Sequence, residues 1–156
     1  NANLSNSRFI DVMDRANLSN ANLSHANWGA DMKNQSMGLM RASLNNVNLS
    51  GANLSYANFD RALMRYANFS KANLRNTVLF GVDPSGADFT EADLTNAVFD
   101  HCDLTNSIFS ATNLEKADFT TAFNYSIDMD ANKIKKSKHS KAQLGGLLEK
   151  YNLTIE

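Results

Sequence analysis

Apolar residues recur along this chain with a period of five. Ala52 to Arg61 reads ANLSY-ANFDR, Ala67 to Asn76 reads ANFSK-ANLRN, and Ala87 to Asn96 reads ADFTE-ADLTN. A small residue comes first in each block, Asn or Asp second, and Leu or Phe third. From Leu44 the third-position residue recurs every five residues through Phe119. Upstream, the step from Phe9 to Leu18 is one residue short of two blocks, and the step from Trp28 to Leu39 is one residue long.

A period of five suits neither common element. A helix would smear the apolar set around its surface, and a flat strand would alternate it between two faces. The period closes when the backbone turns about 90° per block, so that four blocks make one square coil and every third residue points inward. Side chains 20 residues apart then stack. One wall reads Phe9, Trp28, Leu49, Phe69, Phe89 and Phe109; the opposite wall reads Leu18, Leu39, Phe59, Leu79, Phe99 and Phe119. A third reads Leu54, Leu74, Leu94 and Leu114, and a fourth, less regular, reads Leu44, Met64, Pro84 and Leu104. Like stacking on like is what a narrow solenoid of parallel coils requires, and each buried Leu or Phe contributes about 1.5–3 kcal/mol. Pro84 has no N–H to give a neighbouring coil, so a distorted corner or small outward loop is expected there. A second bulge is expected between Gly29 and Met37.

On these blocks the chain resembles the pentapeptide-repeat proteins over roughly residues 1–124. The resemblance implies an all-β, right-handed quadrilateral β-helix, here of about six coils with a short C-terminal α-helix. At about 4.8 Å per coil the rod is near 30 Å long.

Residues 125–156 form a separate cap. Leu144, Leu147, Leu148 and Tyr151 share one face at helical spacing, predicting a helix over about 141–151 with Ser140 as N-cap. Gly145 and Gly146 weaken it, and Leu153–Ile155 suits a last short strand. The segment seals the core. It also resembles the tails of the Qnr-type quinolone-resistance and microcin-immunity members, whose helix and terminal strand pair two molecules tail to tail. That resemblance makes Leu144, Leu147, Leu148, Tyr151, Leu153 and Ile155 candidates for a homodimer interface.

The charges sharpen the functional reading. The 156 residues carry 15 Lys or Arg and 16 Asp or Glu, but the balance is uneven. Residues 1–80 hold eight basic and four acidic side chains, 81–130 one and ten, and 131–156 six and two. The second position is mostly Asn early and Asp late. Asp83, Asp88, Asp93, Asp103 and Asp118 at that position, with Glu91, Asp100 and Glu115 beside them, form a candidate acidic partner surface. An acidic rod can imitate duplex DNA, with its charge every ~1.7 Å, toward a basic groove. With the tail, this implies a DNA mimic that binds DNA gyrase or topoisomerase IV and protects it from quinolones or peptide poisons. The other reading is a structural or interaction scaffold for a different protein. Val78, Phe80 and Val98 break the outward polar pattern on one face of adjacent coils and form a candidate apolar contact. The lysine run Lys133, Lys135, Lys136, Lys138 and Lys141 lacks the aromatic residues of a nucleic-acid stacking platform, so direct nucleic-acid binding is not expected.

No reactive constellation accompanies these surfaces. His25 and His101 fall at outward corners and His139 in the lysine run, none beside a nucleophile and an orienting acid. Cys102, the single cysteine, occupies a small inward position and is read as an apolar filler. There is no zinc spacing and no phosphate loop. Thr90, Thr95, Thr105 and Thr120 fall on four different faces, which disfavours ice binding. The expectation is a non-catalytic protein without cofactor or metal, cytoplasmic because no apolar run approaches the ~20 residues that span a bilayer.

Overall fold

The computed structural model describes residues 2–30 and 41–152. They wind into a β-solenoid of stacked parallel coils. Asn48 pairs with Asn68, Asn53 with Asn73, Asn58 with Val78 and Leu63 with Asp83, each 20 residues on and each in parallel register. Four successive blocks thus make one circuit, and the coil has four sides.

One bonding scheme repeats. The third-position N–H donates to the next coil, as Leu54 does to the Asn73 carbonyl at 2.8 Å, and the second-position N–H donates back, as Asn73 does to the Ala52 carbonyl at 2.9 Å. At each corner the third-position carbonyl accepts the N–H three residues ahead, as Leu54 does from Ala57 at 3.0 Å. The fifth residue turns the corner with positive φ: Asn76 at 57°, Asn96 at 59° and Asn106 at 57°. Asn tolerates this left-handed region better than most residues, which is one reason for its abundance. Asn and Asp at the second position brace the same corner by accepting an N–H two residues on.

The side chains inside follow the repeat. Leu54, Leu74, Leu94 and Leu114 are fully buried in one wall, and the first-position alanines close the corners beside them. Phe69, Phe89 and Phe109 form one column, with successive ring centroids 5.2 Å apart. Phe99 and Phe119 stack at 4.7 Å in the facing wall. The two aromatic walls meet edge to face, as Phe89 meets Phe99 at 6.0 Å and 87°. Where the first position is polar, its hydrogen is spent inward. Thr112 Oγ1 donates to the Phe89 carbonyl at 2.8 Å, and Cys102 Sγ to the Leu79 carbonyl at 2.9 Å. Burial pushes the Cys102 thiol up to about 12.

Two expectations from the repeat are corrected. The first concerns the walls upstream of Leu44. Asn3 pairs with Asn22 and Arg8 with Asn27, so the first coil is one residue short as expected, but Val12 pairs with Ser43, Asn17 with Asn48 and Asn27 with Asn58, 31 residues apart. The chain between these coils carries an insertion of about eleven residues rather than a one-residue bulge. Trp28 therefore stands over Phe59, not Leu49, and Leu18 over Leu49. Leu39, assigned from its spacing to the opposite wall, lies outside the described residues, as does most of the segment Gly29–Met37. The second concerns Pro84. It occupies a buried inward position in an ordinary corner, with Asp83 paired to Leu63 and Gly86 N–H bonded to the Thr105 carbonyl at 2.8 Å. No loop forms there, because the fixed φ of proline suits extended backbone.

On one side of the solenoid the pairing lengthens into short strands, β1 (Val78–Phe80), β2 (Val98–Asp100), β3 (Asp118–Phe119) and β4 (Lys138–His139), ordered in sequence and all parallel. The chain then caps the last coil. A 3₁₀ turn at Lys141–Gln143 leads into α1 (Gly145–Leu148), and a second 3₁₀ turn follows at Glu149–Tyr151. Ser140 precedes the first turn in extended conformation, without a side-chain capping bond. α1 is four residues long, and its Gly146 is pressed against the coil. A Cβ there would lie 2.0 Å from the Tyr125 carbonyl oxygen, and Gly146 accepts the Ile127 N–H at 2.8 Å. No described helix is long and apolar enough to cross a membrane.

Candidate interaction surfaces

The strand-bearing side carries the apolar candidates. Val78 and Val98 are directly paired in the β1–β2 register and stand 46% and 36% exposed. Parallel pairing holds their side chains one above the other on the same outward column. Phe80 lies at the next corner, half-buried. The Arg61 guanidinium sits 5.6 Å above its ring, and the His101 ring lies 5.8 Å away, near edge-on. Tyr56, Ala57, Asn58, Asp60, Val78 and Phe80 line a shallow hollow of about 450 Å³. One coil further, a hollow of about 310 Å³ is lined by Val98, Asp100, Asp118, Thr120 and Thr121. The three residues singled out from sequence thus lie on adjacent coils, Val78 and Phe80 in the first hollow and Val98, paired with Val78, in the second. Tyr56, more than half exposed and stacked on His25 at 4.9 Å, was not singled out. The signal available was an aromatic residue at an outward corner position.

The acidic candidates do two jobs. Asp83, Asp88, Asp93, Asp103 and Asp118 each accept the backbone N–H two residues on, at 2.8–3.1 Å. Asn48 and Asn68 do the same for Ser50 and Ser70. At this corner Asp and Asn are locally equivalent acceptors. Several carboxylates are then matched by cations from the neighbouring coil: Asp83 by Arg65, Glu91 by Lys71 at 3.9 Å, Asp93 by Arg75 at 3.5 Å and Asp118 by Lys138 at 3.0 Å. Asp100 accepts from Thr121 Oγ1 and contacts His101 Nδ1 at 2.8 Å. Asp88, Asp103 and Glu115 have no basic partner among the described residues. Burial opposes ionisation of Asp83, Asp103 and Asp118. Hydrogen bonds outweigh it and hold all three below the usual carboxylate range: from Ser85 and Arg65 to Asp83, from Thr105 and Asn124 to Asp103, and from Thr120 and Lys138 to Asp118. The negative rod read from the sequence is therefore interrupted by ion pairs along its length, and the basic early half supplies some of the cations.

The cap divides the dimer candidates. Leu147 is buried in the core and Leu148 packs half-buried against it, while Leu144 and Tyr151 are 40% and 41% exposed. The Tyr151 hydroxyl donates to Asp130 at 3.0 Å, and Lys150 Nζ bridges Asp128 and Asp130, each at 2.9 Å. Leu153 and Ile155 lie outside the described residues. No group of three His, Cys, Asp or Glu side chains among the described residues is placed to hold a metal.

The repeats match the family model for pentapeptide repeats in eight copies, over residues 42–79 and 85–122. No curated protein matches the chain by sequence. Solved structures of similar proteins include the pentapeptide repeat protein Rfr23 from the cyanobacterium Cyanothece 51142, at 21% identity over 85% of this chain and 89% of that one, with a TM-score of 0.35. Trypsin-treated QnrB1, a plasmid-mediated fluoroquinolone resistance protein, matches at 16% identity over 99% and 98%, with a TM-score of 0.33. A pentapeptide repeat protein of the Arabidopsis thaliana thylakoid lumen matches at 26% identity over 83% and 70%, with a TM-score of 0.30. Residues 42–79 and 85–122 of this chain are thus pentapeptide repeats of the kind that family model describes.

Proposed function

We propose that this protein is a non-catalytic scaffold that binds a protein partner through the strand-bearing side of its solenoid. The observation that carries this reading is the Val78–Val98 pair beside Phe80, an exposed apolar ladder running from one coil to the next. Contiguous exposed apolar surface of this kind marks contact sites, and a backbone bonded coil to coil holds it rigid without ordering on binding. The test compares proteins retained by the wild type with those retained by Val78→Asp/Val98→Asp, after melting shows both folded. A retained set that is the same for both would overturn the assignment to this side.

A second, finer reading takes the rod to be the right-handed, six-coil molecule that the resemblance implies. On that reading it is a cytoplasmic homodimer joined through Leu144, Tyr151 and the residues beyond, which binds a type II topoisomerase as a DNA mimic. The tail sequence supports it, as do Asp88, Asp103 and Glu115, which form no ion pair among the described residues. The ion pairs at Asp83, Glu91, Asp93 and Asp118 weigh toward the first reading. A supercoiling assay on DNA gyrase with and without ciprofloxacin separates the two: no effect at micromolar protein removes the topoisomerase reading and leaves the scaffold standing.

A further inference from the structure

The wall that begins Phe9, Trp28, Phe59 and continues through Leu79, Phe99 and Phe119 ends on a histidine. β4 pairs with β3 so that His139 stands beneath Phe119, ring centroids 5.4 Å apart and planes within 5°. The last rung of an apolar column is thus a titratable ring, half-buried.

Both ring nitrogens are engaged. Nδ1 lies 3.1 Å from the Tyr125 hydroxyl and Nε2 lies 2.9 Å from Ser137 Oγ. The Ser137 hydroxyl donates to the Ile134 carbonyl at 2.8 Å. Its oxygen is therefore left to accept, and Nε2 carries the proton. Nδ1 is then the acceptor for the Tyr125 O–H. One neutral tautomer satisfies every member of the chain Tyr125–His139–Ser137–Ile134. A second proton on the ring would sit on Nδ1 and face the Tyr125 hydroxyl hydrogen, which must swing away into packed surroundings.

Tyr125 is also where the cap docks. It is 4% exposed, Gly146 of α1 abuts its carbonyl oxygen and ring, and Ile127, two residues on, donates to the Gly146 carbonyl. We propose that Tyr125, His139 and Ser137 form a pH-sensitive latch that holds the C-terminal cap on the last coil at neutral pH and loosens it in mild acid. The charged and titratable groups around the ring fit this assignment. On the last coil there is Tyr125. On β3 there is Asp118, whose pull on an imidazolium is shared with Lys138 of β4. α1 carries no charged side chain, and the 3₁₀ turn before it adds Lys141. Burial disfavours the charged ring and holds His139 below the ordinary histidine range, with Asp118 pulling the other way.

The direction follows from linkage. A histidine whose folded value is depressed stabilises the closed cap fully above its unfolded value of about 6.5, and that stabilisation is lost as pH falls through the folded value. The other tie of the cap, Lys150 to Asp128 and Asp130, does not titrate in this window. Hydrogen bonds from Lys150 hold both carboxylates below their ordinary range.

The test follows the His139 ring resonances and the Ile127 and Leu147 amides of the whole chain by NMR between pH 7.5 and 5.5, with exchange corrected for its intrinsic pH dependence. In the wild type, protection at both amides is expected to fall by about threefold or more, since one unit of pKa difference is worth up to tenfold in an opening equilibrium. His139→Phe, which continues the apolar wall, should abolish that change. Tyr125→Phe removes the donor to Nδ1 and should raise the His139 midpoint. Unchanged wild-type protection, or an equal loss in His139→Phe, overturns the proposal. Should His139→Phe fail to fold, the Tyr125→Phe midpoint decides, and one that stays put or falls overturns it.

Discussion

Trp28 lies flat on Phe59, ring centroids 4.8 Å apart and planes within 6°, although 31 residues separate them. Phe9 stacks on the other face of the indole at 4.9 Å, so one tryptophan splices the first coil to the coils beyond the insertion. Its Nε1 is buried without a hydrogen-bond partner. Trp28→Phe keeps the stack and removes the orphaned donor, and should destabilise by less than about 1.5 kcal/mol. Trp28→Ala should cost about 3–5 kcal/mol. Urea unfolding of the two variants checks the ratio.

Pro84 breaks one rung of the ladder. At that position a residue with an N–H would donate to the Asp103 carbonyl, which instead receives only a long contact of 3.5 Å from Ser85 Oγ. Pro84→Leu restores the donor and suits the buried inward site. The gain of about 0.5–1.5 kcal/mol is offset by roughly 0.4–1 kcal/mol of extra unfolded-state freedom. Stability should therefore change by less than about 1 kcal/mol, while the new amide becomes strongly protected from exchange. Rapid exchange at residue 84 would refute the bond.

Two glycines should respond differently to alanine. Gly86 has φ +71°, and a Cβ there would meet the Tyr66 ring at 2.5 Å. The ring belongs to an exposed side chain that can swing aside, leaving a backbone cost of about 1–2 kcal/mol. Gly146 meets a backbone carbonyl at 2.0 Å, and only separation of the two segments relieves that contact. Gly146→Ala should strip exchange protection from Ile127 while the solenoid melts nearly as before.

Acid should unfold the late coils through their aspartates. Asp83, Asp103 and Asp118 are held below their ordinary values by hydrogen bonds that outweigh burial. Their stabilisation is present above the unfolded value of about 3.9 and is lost as pH falls through the lower folded values. Asp103→Asn keeps the acceptor for Thr105. It should leave stability at pH 7 within about 0.5 kcal/mol of wild type and flatten the acid limb of a melting profile taken from pH 7 to 2.

Corner residues offer a stabilising change. Lys116 has φ 58°, a region that most side chains enter at a cost of about 1 kcal/mol and Asn enters more easily. Lys116→Asn should stabilise by about 0.5–1 kcal/mol, read as a rise in melting temperature.

Much of this molecule was legible from its residues, and the limits have physical causes. Strict spacing from Leu44 to Phe119 placed the Phe69–Phe89–Phe109 column and the leucine wall, because one solvent-excluding core admits one register. The walls upstream were misassigned because Leu39 stands five residues before Leu44 and so imitates a block, while the bridges at 31 residues carry the chain past it. The acidic surface was legible as composition but not as electrostatics, since pairing of Asp83 with Arg65 and Asp93 with Arg75 depends on which corners the coils superpose.

The sequence by itself determined the four-sided coil, its inward residues and its corner chemistry. Each is a local rule repeated every five residues: a small residue that lets the corner close, an Asn or Asp that braces it, and an apolar side chain that must leave water. Only the tertiary structure decided which coils lie against each other across the insertion, which carboxylates face cations, and that His139 ends an apolar wall against Tyr125. Those outcomes depend on contacts between residues far apart in the chain, and spacing along one strand carries no information about how much chain a loop removes between two coils.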